Sequence, residues 1–187
     1  MTGNELKNKI TLKTLATGPG GALTFGRGTG IWAGSERLKG KVAYAPHGMA
    51  STQGVQFTIR ERDVDLSRQL IEWRGESYIP AETWTEARGW TAIKAARVHI
   101  RQWTYTGPRK DPEHSSFPGI LSELWQGRQD PDYHSEIHAG LLLVTPKAVE
   151  LRPGDALTCE GKRYRVDVCH KLEDHINEYE VYSREDV

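Results

Sequence analysis

A chain of 187 residues suffices for one domain or two small ones. Its 25 acidic residues balance 25 basic ones, so no global charge argues for DNA or membrane binding. Apolar residues make up 37% and come in short bursts, a pattern that suits small β-domains with polar loops and offers no run long enough to span a bilayer.

In chain order, residues 1–9 are polar and read as a loose arm with no apolar signal core, so the expectation is a soluble protein made in the cytoplasm. ITLKTLA opens the first strand at Ile10. TGPGGALTFGRGTG is too glycine-rich for a helix and reads as a hairpin loop. Its glycines lack P-loop spacing, and no Lys-Ser or Lys-Thr pair closes the run. GIWAG reads as a short strand that buries Trp32. Residues 35–53, SERLKGKVAYAPHGMASTQ, form the longest stretch without a firm signal, and KVAYA is ambiguous between strand and helix. A loop of that length in a compact domain is functional or disordered. It sets Arg37, Lys39 and Lys41 against a single acid, Glu36.

GVQFTIR, from Gly54, alternates with the period of a half-buried strand, Val55, Phe57 and Ile59 facing one way and Gln56, Thr58 and Arg60 the other. After the charged run ERDVDLSRQ comes a short strand, LIEW. Arg74-Gly75 then falls where a tight hairpin turn belongs, and ESYIP resumes the alternation through Tyr78. TWTEARGW turns about Gly89. WTAIKAARVHI reads as a long strand, with a helix over TAIKAARV as its competitor because Ala and Lys favour helix.

The central stretch then recurs as AGLLLVTPKAVELRPGDALTCEGKRYRVD, from Ala139. Gly140, Gly161 and Tyr164 fall 86 residues after Gly54, Gly75 and Tyr78. Further up, VHIRQWTYTGP lies over ITLKTLATGP, with Gly107-Pro108 on Gly18-Pro19 and Gly119-Ile120 on Gly30-Ile31, all 89 residues apart. A three-residue deletion between Ile120 and Gly140 brings these two alignments into register. Two units of this size suggest a tandem duplication rather than a solenoid. The expectation is therefore a mainly β protein built as two tandem small β-barrel modules with long loops, residues 1–96 and 97–187. No Pro- or Ser-rich linker separates them, which implies a fixed relation between the modules.

Motifs for chemistry are sparse. His134 and His138, with Glu136 between them, could share one face, and Cys159, Cys169, His170 and His175 lie further on. A second closely spaced ligand pair is missing, so surface histidine is the preferred reading and no metal or cofactor is expected. The two cysteines do not make a disulfide framework, although they could face each other across a hairpin. No serine sits in a GxSxG elbow, and Glu173-Asp174-His175 reads as a charged turn before the last strand, so no enzyme is expected. Of the six tryptophans, Trp73, Trp84, Trp90 and Trp103 fall at or near strands. Core or subunit-interface packing is favoured for them over base stacking, because Glu72, Glu76, Glu82 and Glu86 interrupt the basic residues.

The order of these features resembles the head-tail joining (head-closure, stopper or connector) proteins of tailed bacteriophages. The residues that carry the likeness are an ITL-like first strand, the Ile31-Trp32-Ala33 strand, a long loop, and the GVQFTIR strand. A hairpin follows, Arg74-Gly75-Glu76-Ser77-Tyr78-Ile79, and again Gly161-Lys162-Arg163-Tyr164-Arg165-Val166. The resemblance implies a virion protein without catalytic activity that forms a 6-fold or 12-fold homo-oligomeric ring. Its partners would be the portal or adaptor on the head side and the tail terminator or tail tube on the other, with packaged double-stranded DNA in the channel and no membrane. It also implies that the long loop faces the channel or a neighbour, with Arg37, Lys39, Lys41, Tyr44 and His47 as the contact residues. The chain departs from the family in being duplicated. The alternatives are a tail terminator or other ring-forming tail component and, from another class, a tandem barrel that binds single-stranded nucleic acid.

Overall fold

The computed structural model describes residues 6–45, 50–87, 89–107, 114–124, 140–171 and 173–183. The regular structure of these residues is almost all β, arranged as two closed six-stranded barrels. The first half contributes β1 (Asn8–Thr17), β2 (Leu23–Phe25), β3 (Thr29–Arg37), β4 (Val42–Ala43), β5 (Ala50–Ser51), β6 (Gly54–Arg60), β7 (Gln69–Trp73), β8 (Glu76–Ala87) and β9 (Trp90–Val98). The second contributes β10 (Arg101–Tyr105), β11 (Ser116–Leu124), β12 (Gly140–Pro146), β13 (Ala156–Cys159), β14 (Lys162–His170) and β15 (Ile176–Ser183).

Around the first barrel the strands run β1-β3-β6-β9-β8-β7 and back to β1, all antiparallel. Around the second they run β10-β11-β12-β15-β14-β13 and back to β10. These are one topology. Three strands meander, a crossing segment (61–68 or 147–155) returns the chain to the first strand, and a tight hairpin leads back to close the barrel. Closure pairs each of the six strands of either barrel on both sides.

The registers repeat as well. Ile71 faces Tyr78 as Leu157 faces Tyr164, and Phe57 faces Ile93 as Leu143 faces Tyr179. The bulge between Pro80 and Glu82 recurs between Val166 and Val168. All of these equivalences lie 86 residues apart, as the later landmarks of the sequence alignment have it. The earlier landmarks are corrected. Ser35 pairs with Phe57 as Leu121 pairs with Leu143, so the 86-residue spacing already holds at β3 and β11, and Gly119 is the counterpart of Ala33, not of Gly30. The first strands stand 93 residues apart, since Thr11 faces Glu72 as Thr104 faces Thr158. The length difference therefore lies between the first and second barrel strands, where the first copy carries additional residues that include β2.

Both hairpin turns place two consecutive residues at positive φ, Arg74 (54°) with Gly75 (78°) and Glu160 (50°) with Gly161 (81°). This is the type I′ geometry whose twist suits a two-residue β-hairpin. The TAIKAARV segment is strand, because Ile93 and Ala95 complete the first core and non-local burial outweighs the helical preference of Ala and Lys.

Two cores fill the barrels. The first gathers Ile10, Leu12, Ala33, Val55, Phe57, Ile59, Ile71, Trp73 and Tyr78 among its members, with the Phe57 ring edge-on to Trp73 and Tyr78 at centroid distances of 5.5 and 5.6 Å. The second contains Trp103, Phe117, Leu143, Leu157, Tyr164 and Tyr179, and it also takes Leu15 and Leu23 from the N-terminal half. Trp32 is the exception to the sequence reading. Ile31 and Ala33 occupy the inward positions of β3, so strand parity turns Trp32 outward, where it is 58% exposed.

Candidate functional site

The 35–53 stretch is more structured than an open loop. Residues 35 to 37 belong to β3, with Arg37 opposite Val55, and the short strands β4 and β5 pair as a ribbon, Val42 with Ser51 and Ala43 with Ala50. The ribbon lies against the barrel wall. A methyl group at Gly54 would sit 2.2 Å from Val42 Cγ2, so only glycine admits this approach.

The five residues implied as channel or partner contacts separate. Arg37, Lys39 and Lys41 are exposed. Tyr44 instead folds back with Ala45 into a third apolar cluster, together with Ile79, Val98 and Ile100 of the first half and Ile120, Leu142, Val144 and Ile176 of the second. Burial pushes the Tyr44 phenol up to about 12. Tyr44 thus packs, half-buried, between the barrels, while Arg37, Lys39 and Lys41 point to solvent. His47 lies outside the described residues, as do His134, Glu136 and His138.

The third cluster is where the barrels meet. The outward residues of β11, β12 and β15 receive the end of the ribbon, β8 and the β9–β10 connection. A second contact comes from the residues present only in the first copy. Ala22 bridges to Ser116 in parallel, Gln102 donates its Nε2 to the Leu23 carbonyl (3.1 Å), Ser115 donates its hydroxyl to the Gly20 carbonyl (2.7 Å), and His114 Nδ1 lies 3.3 Å from the Gly21 carbonyl. β2 therefore straps the first barrel to the second.

The outer face of the first barrel carries a different surface. Trp32 continues the β3–β6 register to stand beside Arg60, and the Arg60 guanidinium lies 4.5 Å from the centroid of Trp90. The next row across the strands is Gly34, Thr58, Ala92 and Trp84, a floor of small residues ending in a tryptophan that is 39% exposed. Thr58 faces outward yet is buried, and its hydroxyl donates to Glu86 Oε2 at 3.3 Å. Of the tryptophans assigned to packing, Trp73, Trp90 and Trp103 are buried. Sequence reasoning missed the Trp32 face because it placed that ring in the core. The signal was the alternation Ile31-Trp32-Ala33, which puts the two smaller residues inside.

On the second barrel, Gly154, Ala156, Thr158, Arg163 and Arg165 line an open groove beside β13 and β14. Arg163 and Arg165 are exposed there, and Arg165 donates its Nε to the Gly154 carbonyl at 3.3 Å.

Both cysteines are free. Cys159 pairs across its hairpin with Lys162, whereas Cys169 faces Tyr179 on another strand, so they do not oppose each other. Burial raises both thiol pKa values. Among the described residues, no three His, Cys, Asp or Glu side chains gather as a metal site, and no helix is long and apolar enough to cross a membrane.

Comparison of the chain with protein-family models, curated proteins and solved structures returns no match.

Proposed function

We propose that this chain is a structural protein of a phage head–tail interface, forming a ring below the portal or adaptor, helping to retain packaged DNA and giving the tail its attachment surface. The observation that carries the reading is the tandem barrel itself. The GVQFTIR strand and the hairpin with tyrosine at Tyr78 or Tyr164 hold equivalent places in two barrels of one topology and register. These are the features in which the sequence resembles head-closure proteins. A duplicated barrel joined through a strap and an apolar cluster suits mechanical work, in which many symmetric contacts make an assembly. The exposed Arg37, Lys39 and Lys41 supply cations for DNA or a neighbouring ring.

Electron microscopy of a lysate from the source phage carrying an early nonsense mutation in this gene tests the proposal. Tailless heads beside complete free tails support joining, and emptied heads add genome retention. Heads without finished tails favour a tail terminator or another tail component, and normal virions overturn the structural reading. The exposed cations are tested separately by Arg37→Glu, Lys39→Glu and Lys41→Glu together. Deleting the whole stretch would also remove Tyr44 and Ala45 from between the barrels.

A single-stranded nucleic-acid-binding tandem barrel is the second reading, favoured by Trp32 and Arg60 standing side by side on one face. It predicts salt-dependent binding that falls on Trp32→Ala.

A further inference from the structure

The repeat gives every surface of one barrel a counterpart on the other, and the two faces that meet inside the chain have counterparts that carry exposed side chains, Trp32 on the first barrel and Arg165 on the second. Within the chain, the first barrel presents Leu66, Leu70 and Ile79 to the crevice between the barrels, and the second presents Pro118, Ile120, Val144 and Ile176. Shifted by the 86-residue repeat, the receiving residues become Trp32, Gly34, Thr58 and Trp90 on the outward side of the first barrel, where Trp32 stands exposed and the other three are buried. The presenting residues become Arg152, Ala156 and Arg165, of which Ala156 and Arg165 line the groove of the second barrel. The Trp32 face and the arginine groove are therefore the counterparts of a contact the fold already makes.

Their chemistry matches. The contact within the chain is mainly apolar on both sides, as a permanent interface is. The uncovered pair sets exposed arginines against an exposed tryptophan, and aromatic residues and arginine are enriched where subunits meet. A guanidinium stacks on an indole face. One acid outside an intrachain ion pair with its row neighbours, Glu36, also borders the tryptophan face, in the row Glu36, Gln56, Lys94 and Glu82 across β3, β6, β9 and β8, whose last two are ion-paired at 3.2 Å.

We propose that a second copy of the chain inserts the Trp32 face of its first barrel into the Arg163–Arg165 groove of the second barrel, repeating between chains the barrel-to-barrel contact made within one. The contact is heterologous, so each chain has one free donor face and one free acceptor groove, and successive copies add head to tail. Each chain then supplies two consecutive positions of the assembly. The inference rests on the ring-forming reading and names the faces that reading would use.

A photocrosslinking amino acid, p-benzoylphenylalanine, in place of Trp32 tests it on the full chain. On irradiation at rising concentration, the expected product is a chain-to-chain adduct mapping to residues 152–165 of the second copy. Arg163→Glu with Arg165→Glu lies on the exposed groove and should leave each barrel folded, as judged by circular dichroism. Its expected effect is a cut of about tenfold in adduct yield, the loss characteristic of an anchor contact. Adducts at another face of a second copy would overturn the assignment while leaving a ring intact. Absence of any chain-to-chain adduct up to the solubility limit would overturn the assignment and count against the ring. Capture of added single-stranded DNA in place of a second chain would overturn both and favour the nucleic-acid reading.

Discussion

Trp103 stands across from Cys159 in the second barrel where the first barrel sets Ile10 across from Trp73. The registers Thr104–Thr158 and Thr11–Glu72 fix both pairs, one residue back along each first strand. The large and the small residue have exchanged strands, and the ring is kept near a tyrosine in each case, Trp73 at 6.0 Å from Tyr78 and Trp103 at 5.0 Å from Tyr164. Ala33 has also become Gly119. A methyl group there would sit 2.7 Å from Leu143 Cδ1 and 2.9 Å from Trp103 Cδ1, so the side chain removed from β11 makes room for the indole. Each barrel reaches dense packing with its indole on a different strand.

Exchanging the pair should therefore be better tolerated than either half of the exchange. Trp103→Ile empties part of the core and Cys159→Trp overfills it. The double variant should be more stable than either single variant, with a coupling energy on the order of 0.5–3 kcal/mol. Urea unfolding of the four proteins measures it, and strict additivity would refute the compensation.

Gly119→Ala should destabilise the second barrel by about 1–3 kcal/mol through overpacking. The same substitution in a Trp103→Ile background should cost less, because the obstructing ring is gone. Equal losses in both backgrounds, measured by chemical denaturation, would show that the indole is not the obstacle.

Removing seven residues from the 18–28 connection gives the first copy the length of the second and takes away the strap. Each barrel keeps its six strands, but the second core loses Leu23 and the contacts to Gln102 and Ser115 go with it. Calorimetry should show the barrels unfolding in separate steps, the second at the lower temperature. One transition coincident with that of the intact chain would argue against the strap.

Two tyrosines give the protein an alkaline limit. Burial pushes both Tyr44 and Tyr179 from 10.0 up to about 12; the Tyr179 hydroxyl donates to the Val149 carbonyl at 2.7 Å and accepts from the Leu151 amide at 3.1 Å. Below the ordinary tyrosine value both states hold these protons, and stability does not respond to them. Between about 10 and 12 the unfolded chain releases them while the folded chain keeps them, so stability falls as pH rises through that window. Absorbance titration should show two tyrosines ionising late and together with unfolding. Titration of every tyrosine near its usual value in the folded protein would contradict the burial.

Much of the fold was legible because the repeat is written in backbone requirements. Gly75 and Gly161 mark turns that need positive φ, and Val55, Phe57 and Ile59 spell out a strand by parity. The first strands were misaligned by sequence because their inward residues changed most, Ile10 becoming Trp103 and Leu12 becoming Tyr105. The Gly-Pro pairs of the loops stand 89 residues apart, a spacing that the strands on either side do not share. Tyr44 was not legible as an anchor, since what buries it, Ile120, Leu142, Val144 and Ile176, comes from the other half of the chain. Of the proposed interface, the arginines were plain in GKRYR, but their relation to Trp32 appears only when the two barrels are superposed by register.

Leu15 and Leu23 give the chain a direction of manufacture. The first barrel, with its own core, leaves the ribosome before β10 does. That newborn barrel carries Leu15, Leu23 and Phe25 as an uncovered apolar strip with nothing yet to cover it. When β10 and β11 emerge they meet a preformed edge, so the later half is templated by the earlier one. A chain that terminates after Val98 would keep the strip bare, and its fate would be aggregation rather than a lone soluble barrel.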